Sequence, residues 1–302
     1  MRNCFLKRLL AVPAVVCLCA ALSHGGATSL GESASAAPSV RANAMGDAYT
    51  AASGDVFGAY YNPAHVSPKA AGFNFTRGYA EDSTGVMALT LPDAAGGFNL
   101  GFSFLYYTAG KMDLYGPAGR IGEVNAQRDY MGLVNLSRSF GPLSVGANAK
   151  VLRTELFESN RGSAFLCDFG AQLKTPLADL GAAVQNLGSR ITIGSEAETI
   201  PRNIRLGAYK SFRLPVADLN AAFDLVKTDG EKTSAAAAGE FVVLKTLALR
   251  TGYEFRNALS GANSLRFGFG VSLSAFTLDY ALVPYRDLGS THRFALTYNF
   301  SK

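Results

Sequence analysis

LRFGFGVSL, Leu265–Leu273, is the stretch on which the fold turns. Leu265, Phe267, Phe269, Val271 and Leu273 fall on one side, and Arg266, Gly268, Gly270 and Ser272 on the other. A period of two belongs to an extended strand whose faces meet different surroundings. The pattern recurs in Phe98–Tyr106, Leu247–Phe255, Phe276–Leu282 and Phe294–Phe300. A soluble β-sandwich also alternates, but its outward face would carry mostly Lys, Glu and Thr. Here the non-apolar face is Gly, Ser, Asn and isolated charges. That composition suits the crowded polar interior of a closed barrel whose apolar face meets lipid.

Working outward, alternating runs predict about fourteen strands, at 71–79, 84–91, 97–107, 129–139, 143–155, 163–173, 178–187, 201–211, 217–227, 233–243, 246–255, 264–273, 275–283 and 291–300. Every second connection is long or charged (80–83, 108–128, 156–162, 188–200, 228–232, 256–263 and 284–290), and those between are short. The segments 80–83 and 228–232 qualify by charge and not by length. An even count with long and short connections in alternation is the pattern of an outer-membrane β-barrel, and a sandwich has no reason to obey it. The expected fold is all-β and transmembrane: a closed antiparallel barrel over 71–302. The 13 tyrosines and 20 phenylalanines serve such a barrel as interfacial girdles, with Tyr106, Tyr107, Tyr253 and Tyr298 near strand ends. Phe300 supplies a near-terminal aromatic of the kind barrel-assembly machinery reads, trailed by Ser301 and Lys302.

Upstream, Ser39–Pro68 (SVRANAMGDAYTAASGDVFGAYYNPAHVSP) does not alternate. Met45, Ala48, Tyr49 and Ala52 recur at helical spacing within 43–52. Ser53 or Asp55 can cap a second turn through Tyr61, and Asn62-Pro63 joins an N-cap to a proline at the first helical position. Short helices of this size cannot bury their own apolar face, so the expectation is a small helical plug, residues 28–70 with its lead, packed inside the barrel. Gly46, Gly54 and Gly58 allow its tight corners and its close approach to the wall. Residues 28–38 read as a loose periplasmic lead.

Residues 1–27 begin with Arg2, Lys7 and Arg8, continue through the apolar run 9–22 and end in small residues, the pattern of a cleaved secretory signal peptide, with cleavage after Ser23 or Ala27. The apolar run is shorter than the ~18 residues a membrane-spanning helix needs, and Pro13 interrupts it. The chain of 302 residues carries 28 basic and 23 acidic side chains, but three of the bases leave with that segment. The remaining near-balance, without a basic stripe, argues against nucleic acid as a partner. Cys4, Cys17 and Cys19 leave with it too, so the mature chain has no internal disulfide. Cys167, in AFLCDFGAQL, reads as a small hydrophobe on the outer face.

Two stretches resemble known families. Ala44–Pro68, with its Asn62-Pro63-Ala64 turn, resembles the N-terminal plug of FadL-like long-chain fatty acid transporters, and more closely the PorV/PorQ family and the spirochaete UPF0164 proteins. Asp279–Leu296 (DYALVPYRDLGSTHRFAL) strengthens the PorV/PorQ and UPF0164 likeness. The resemblance implies a fourteen-stranded barrel in the outer membrane of a Gram-negative or spirochaete envelope, with the N-terminus folded inside as a hatch. It implies two diverging activities. FadL-like members carry hydrophobic molecules across the outer membrane, and PorV-like members dock secreted proteins as cargo.

No arrangement here points to catalysis. With the signal removed after Ala27, only His65 and His292 remain; two separated histidines and one apolar cysteine make neither a metal site nor a triad, and no cofactor is implied. The expected function is uptake of a hydrophobic small molecule such as a long-chain fatty acid, with docking of secreted proteins as the alternative. Asn62, Pro63, Ala64, Gly46 and Gly58 are the expected plug determinants, and Tyr106, Tyr107, Met112, Leu114 and Tyr115 a candidate capture surface. Lys150, Asp168, Asp224, Arg250, Glu254, Arg266 and Asp279 are expected to face the lumen, either as a gate or substrate path or paired with one another and with the plug. The longest outer connection, 108–128, is short for a FadL-like capture loop.

Overall fold

A computed structural model of the chain describes residues 33, 37–78, 82–117, 119–255, 264–285 and 289–300. The expected signal peptide, most of the lead, the whole connection 256–263 and parts of the connections 80–83 and 284–290 lie outside these residues. Fourteen strands close into one antiparallel barrel. In chain order they are β1 (Ala70–Arg77), β2 (Ser83–Ala95), β3 (Phe98–Thr108), β6 (Gln127–Phe140), β7 (Leu143–Leu156), β8 (Asn160–Leu173), β9 (Asp179–Gly188), β12 (Asn203–Arg213), β13 (Ala217–Thr228), β14 (Ser234–Val243), β15 (Leu247–Phe255), β16 (Ser264–Leu273), β17 (Phe276–Tyr285) and β18 (Gly289–Asn299). The seam is closed by β1 against β18, from Ala70 opposite Asn299 to Arg77 opposite His292. Closure leaves no unpaired strand edge, which is the condition for a sheet to stand in hydrocarbon.

The barrel strands match the alternating runs to within a few residues at each end. The expected long connection 156–162 is instead a tight turn, because Phe157 and Glu158 both adopt positive φ (50° and 59°) and the strands run on to meet it. The connections 108–128 and 188–200 each hold a hairpin, β4 (Lys111–Gly116) with β5 (Gly119–Asn125), and β10 (Ile191–Ile193) with β11 (Glu196–Glu198).

Side-chain parity separates two surfaces. Phe73, Phe104, Phe165, Phe223, Leu249, Phe267 and Phe294 stand exposed on the outside. Asn135, Asn148, Asp168, Asp224 and Glu240 are buried inside. Cys167 shares the outer parity of Phe165 and Phe169, as expected. Outer aromatics pair near the strand ends: Tyr106 with Tyr130 at 5.3 Å between ring centroids, and Phe276 with Tyr298 at 5.0 Å. Tyr107 does not join the girdle. One residue from Tyr106, it turns inward against the apolar core.

The plug fills the lumen but is far less helical than expected. Its α-helix, α1, is Val40–Ala44, capped by the Ser39 hydroxyl, which accepts the N–H of Ala42. Gly46 and Asp47 both take positive φ (61° and 63°), which ends the helix where the sequence pattern would start one. A single 3₁₀ turn follows at Gly58–Tyr60, after the Asp55 carboxylate accepts the N–H of Phe57. No helix starts at Asn62-Pro63, because the Asn62 side chain folds back to accept the N–H of Ala64 and tightens that turn instead.

Candidate functional site

The site is the contact between the plug and the barrel wall, with the compartments on either side of it. Its geometry begins with glycine. A Cβ at Gly252 would lie 2.2 Å from Gly46 N, and one at Gly146 would lie 2.1 Å from the Pro63 carbonyl oxygen. Gly170, Gly181, Gly207 and Gly268 face Asn62, Thr50, Thr50 and Ala44 in the same way. These residues explain the glycine-rich inner face: at each of them a side chain would collide with the plug or with a neighbour held against it. Of the expected plug determinants, Gly46 supplies the turn after α1, and Gly58 leaves room for the His65 ring, which would otherwise meet a Cβ at 2.2 Å.

Two kinds of polar contact then hold the plug, one on each half of the wall. Along β3 to β9 the partners are neutral. Asn135 donates to the Pro63 carbonyl (2.8 Å), Asn148 to that of Ala59 (2.9 Å), Gln172 to that of Ala52 (2.9 Å) and Gln185 to that of Tyr60 (2.7 Å). Asn62 reaches the carbonyls of Thr50 and Ala171 at 2.9 and 3.0 Å. These amides satisfy buried backbone carbonyls along the seam between plug and wall.

Along β12 to β18 the partners are charged. Asp224 accepts the N–H groups of Tyr49 (3.1 Å) and Thr50 (3.0 Å), and Arg205 braces it at 3.0 Å. Arg41 meets Glu240 through both carboxylate oxygens, at 2.8 and 2.6 Å. Arg250 shares that carboxylate at 2.7 Å and continues to Asp279. Arg266 pairs with Asp47 of the plug and Glu254 of the wall, and Arg293 donates to Asn43 at 2.7 Å. A buried charge is tolerable only when paired in this way.

All seven expected lumen charges sit in this arrangement or in the separate buried pair Lys150–Asp168 (2.8 Å), which also binds Asn186. Sequence reading missed Arg41, Asp47, Arg205, Glu240 and Arg293. Strand parity offered a signal for three of them, since Arg205, Glu240 and Arg293 share the inward positions of Gly207, Ala236 and Ala295.

Within the plug, His65 is buried and accepts the Asp55 N–H through Nε2 at 3.1 Å. Burial, reinforced by the Arg41 charge, pushes its pKa down to about 3, so the ring is neutral. Burial opposes ionisation of Asp47, but the Arg266 and Arg293 charges outweigh it and hold the carboxyl below its usual range.

Toward the end of the barrel with the longer connections, the inner wall carries a cluster of aliphatic side chains between the Asp129–Thr154 row and the Lys150–Asp168 pair. Leu105, Met131, Leu152 and Leu166 line the wall, fully buried. Ile191 of the β10–β11 hairpin and Ile200 beyond it close over them, also buried, and Gly162 leaves space for the hairpin backbone. The described residues of the lead are tied down: Ser33 donates to Asp129 on the inner wall, and the Pro38 carbonyl accepts from Asn74. These bonds draw the described part of the lead into the lumen instead of leaving it below the barrel.

Toward the short-turn end, a polar cavity of about 380 Å³ opens beneath the plug, lined by Arg41, Asp55, Asn220, Glu240, Arg250 and Asp279 among others. The candidate capture residues are not brought together. Tyr106 faces outward and Tyr107 inward, while Met112, Leu114 and Tyr115 stand exposed on the β4–β5 hairpin.

No family model matches the chain, and neither does any curated protein by sequence. Solved structures do match. A FadL homologue from Pseudomonas aeruginosa aligns over 86% of this chain and 98% of its own, at 13% identity and a TM-score of 0.55. The toluene transporter TbuX from Ralstonia pickettii aligns over 86% and 97%, at 11% identity and a TM-score of 0.60. The toluene transporter TodX from Pseudomonas putida aligns over 91% and 96%, at 10% identity and a TM-score of 0.57. The chain therefore shares its fold with these barrels. The narrower resemblance to PorV/PorQ and UPF0164 rests on the two stretches quoted above.

Proposed function

We propose that this barrel stands in an outer membrane and takes up a small hydrophobic molecule. The observation that carries the reading is the cluster of fully buried Leu105, Met131, Leu152 and Leu166 on the inner wall beneath the Ile191 hairpin, which we take as the compartment a ligand would enter. An inner barrel face is ordinarily polar, and a run of buried aliphatic side chains there is what an apolar solute would partition into. The shared fold with barrels described as toluene transporters supports the same reading. The long connections face outward, so a ligand meets this compartment before the plug.

Among hydrophobic ligands, an uncharged one fits better than a long-chain fatty acid. A carboxylate entering the compartment would need a cation, and Lys150, on the inner wall next to it, is already committed to Asp168 at 2.8 Å. Onward passage requires the plug to shift, since its central residues are fully buried against the wall.

The test is displacement of an apolar fluorophore from the purified barrel by toluene and by oleate. Toluene displaces it from the wild type, and Leu152→Asn with Leu166→Asn weakens toluene binding at least about tenfold, roughly the loss of one or two buried methyl groups' contribution. Binding unchanged by both substitutions would place the ligand elsewhere and sink the reading.

Docking of secreted proteins is the second reading. Tyr115 and Ile121 are 71% and 70% exposed on the β4–β5 hairpin, which stands clear of the barrel. A secreted protein co-purifying in place of a hydrophobic ligand would favour it.

A further inference from the structure

The outer wall carries a second, unrelated feature. Arg138 lies on β6 at the short-turn end, its guanidinium 4.9 Å from the ring centroid of Phe98 and 5.2 Å from that of Phe140. Both rings are exposed on the lipid-facing side, and Arg138 forms no ion pair with any described residue. A guanidinium held between two aromatic faces keeps its donor fork fixed, and the fork matches a phosphate.

On the same strands, nearer mid-wall, the outer surface has a shallow apolar groove of about 540 Å³. Gly132 and Ala149 form its floor, and Phe102, Phe104, Val134 and Val151 its sides. Gly132 sits opposite Phe104 on one neighbour and Val151 on the other, and no atom occupies the space where its side chain would be.

The spacing joins the two. Gly132 and Arg138 are six residues apart on β6. At ~3.4 Å per residue that is roughly 20 Å of strand. With a strand tilt of about 40° it descends roughly 15 Å along the membrane normal. That depth is one leaflet, half of a hydrocarbon core about 30 Å thick. A phosphate at Arg138 therefore lies at the interface when an acyl chain reaches the Gly132 groove near the midplane.

We propose that this face binds one phospholipid of the periplasmic leaflet, its phosphate on Arg138 between Phe98 and Phe140 and one acyl chain in the Gly132 groove. The inference relies on the outer-membrane setting proposed above and is independent of what the lumen carries. Its function is that of a fixed annular lipid, sealing the wall where glycine leaves it thin.

The test is native mass spectrometry of the full barrel, stripped of lipid by detergent exchange and titrated with dioleoyl phosphatidylglycerol. Wild type, Arg138→Gln, Gly132→Phe and the far-wall control Gly239→Val are compared, each verified as folded by its heat-dependent gel mobility. Wild type and Gly239→Val should each hold one phosphatidylglycerol. Arg138→Gln and Gly132→Phe should each weaken it about tenfold, which corresponds to losing one charge-assisted contact or one well-packed chain segment. Dioleoylglycerol, which lacks the phosphate, should not be retained, and excess inorganic phosphate should not displace the lipid. Equal retention by all four proteins overturns the proposal. So does displacement by inorganic phosphate with Gly132→Phe unaffected, which would leave a bare anion site.

Discussion

His65 is the residue where the plug's burial becomes measurable. In the folded protein its pKa is pushed down to about 3, whereas an unfolded chain titrates near the ordinary value of about 6.5. Below about pH 6.5 the unfolded state takes up a proton that the native state refuses. The stability His65 confers is therefore complete above that pH and is lost progressively as pH falls toward 3, by up to about 1.4 kcal/mol per pH unit. Urea unfolding of the refolded barrel between pH 7 and 4 should show wild type losing stability more steeply than His65→Gln by about that slope. Parallel profiles would mean that His65 is hydrated in the native plug.

The plug and its seat are the elements on which function turns. Gly252→Val places a side chain where Gly46 N lies 2.2 Å from a Cβ, and a backbone contact cannot yield as a flexible side chain would. The outer face is untouched, so the barrel should still assemble while the plug lifts. In planar bilayers the variant should conduct measurably more than wild type, and the outward-facing Gly239→Val should not. A folded Gly252→Val barrel with unchanged conductance would show that the seat is softer than its geometry.

The strands were legible because lipid and lumen impose opposite chemistry on alternate residues, as in Leu265–Leu273. The plug was less so. Met45, Ala48, Tyr49 and Ala52 are spaced for a helix, yet the N–H groups of Tyr49 and Thr50 are taken by Asp224 of β13, a partner 175 and 174 residues away. The Arg41–Glu240 contact was hidden for the same reason. Parity can place Glu240 inside, but only closure decides which plug residue meets it. Tyr106 and Tyr107 of the candidate capture surface point to opposite sides of the wall, because neighbours on a strand face opposite sides.

At the scale of the whole molecule, the lumen holds a packed apolar cluster under the β10–β11 hairpin, a plug, and a polar cavity of about 380 Å³ below it. The plug is clamped by ion pairs on one half of the wall and by neutral amides on the other. Screening by salt reaches buried pairs weakly, so this division should leave the plug seated at ordinary ionic strength. A closed but divided lumen suits controlled passage of an apolar solute, and Lys150, the cation beside the apolar cluster, is already paired with Asp168.

The most direct measurement of the central claim is uptake of labelled toluene, beside labelled oleate, by cells that lack other routes of entry, with and without the barrel. Saturable entry of toluene is expected that depends on the barrel and falls in the Leu152→Asn, Leu166→Asn variant, with oleate entering more slowly. Identical uptake with and without a correctly inserted barrel would contradict that claim.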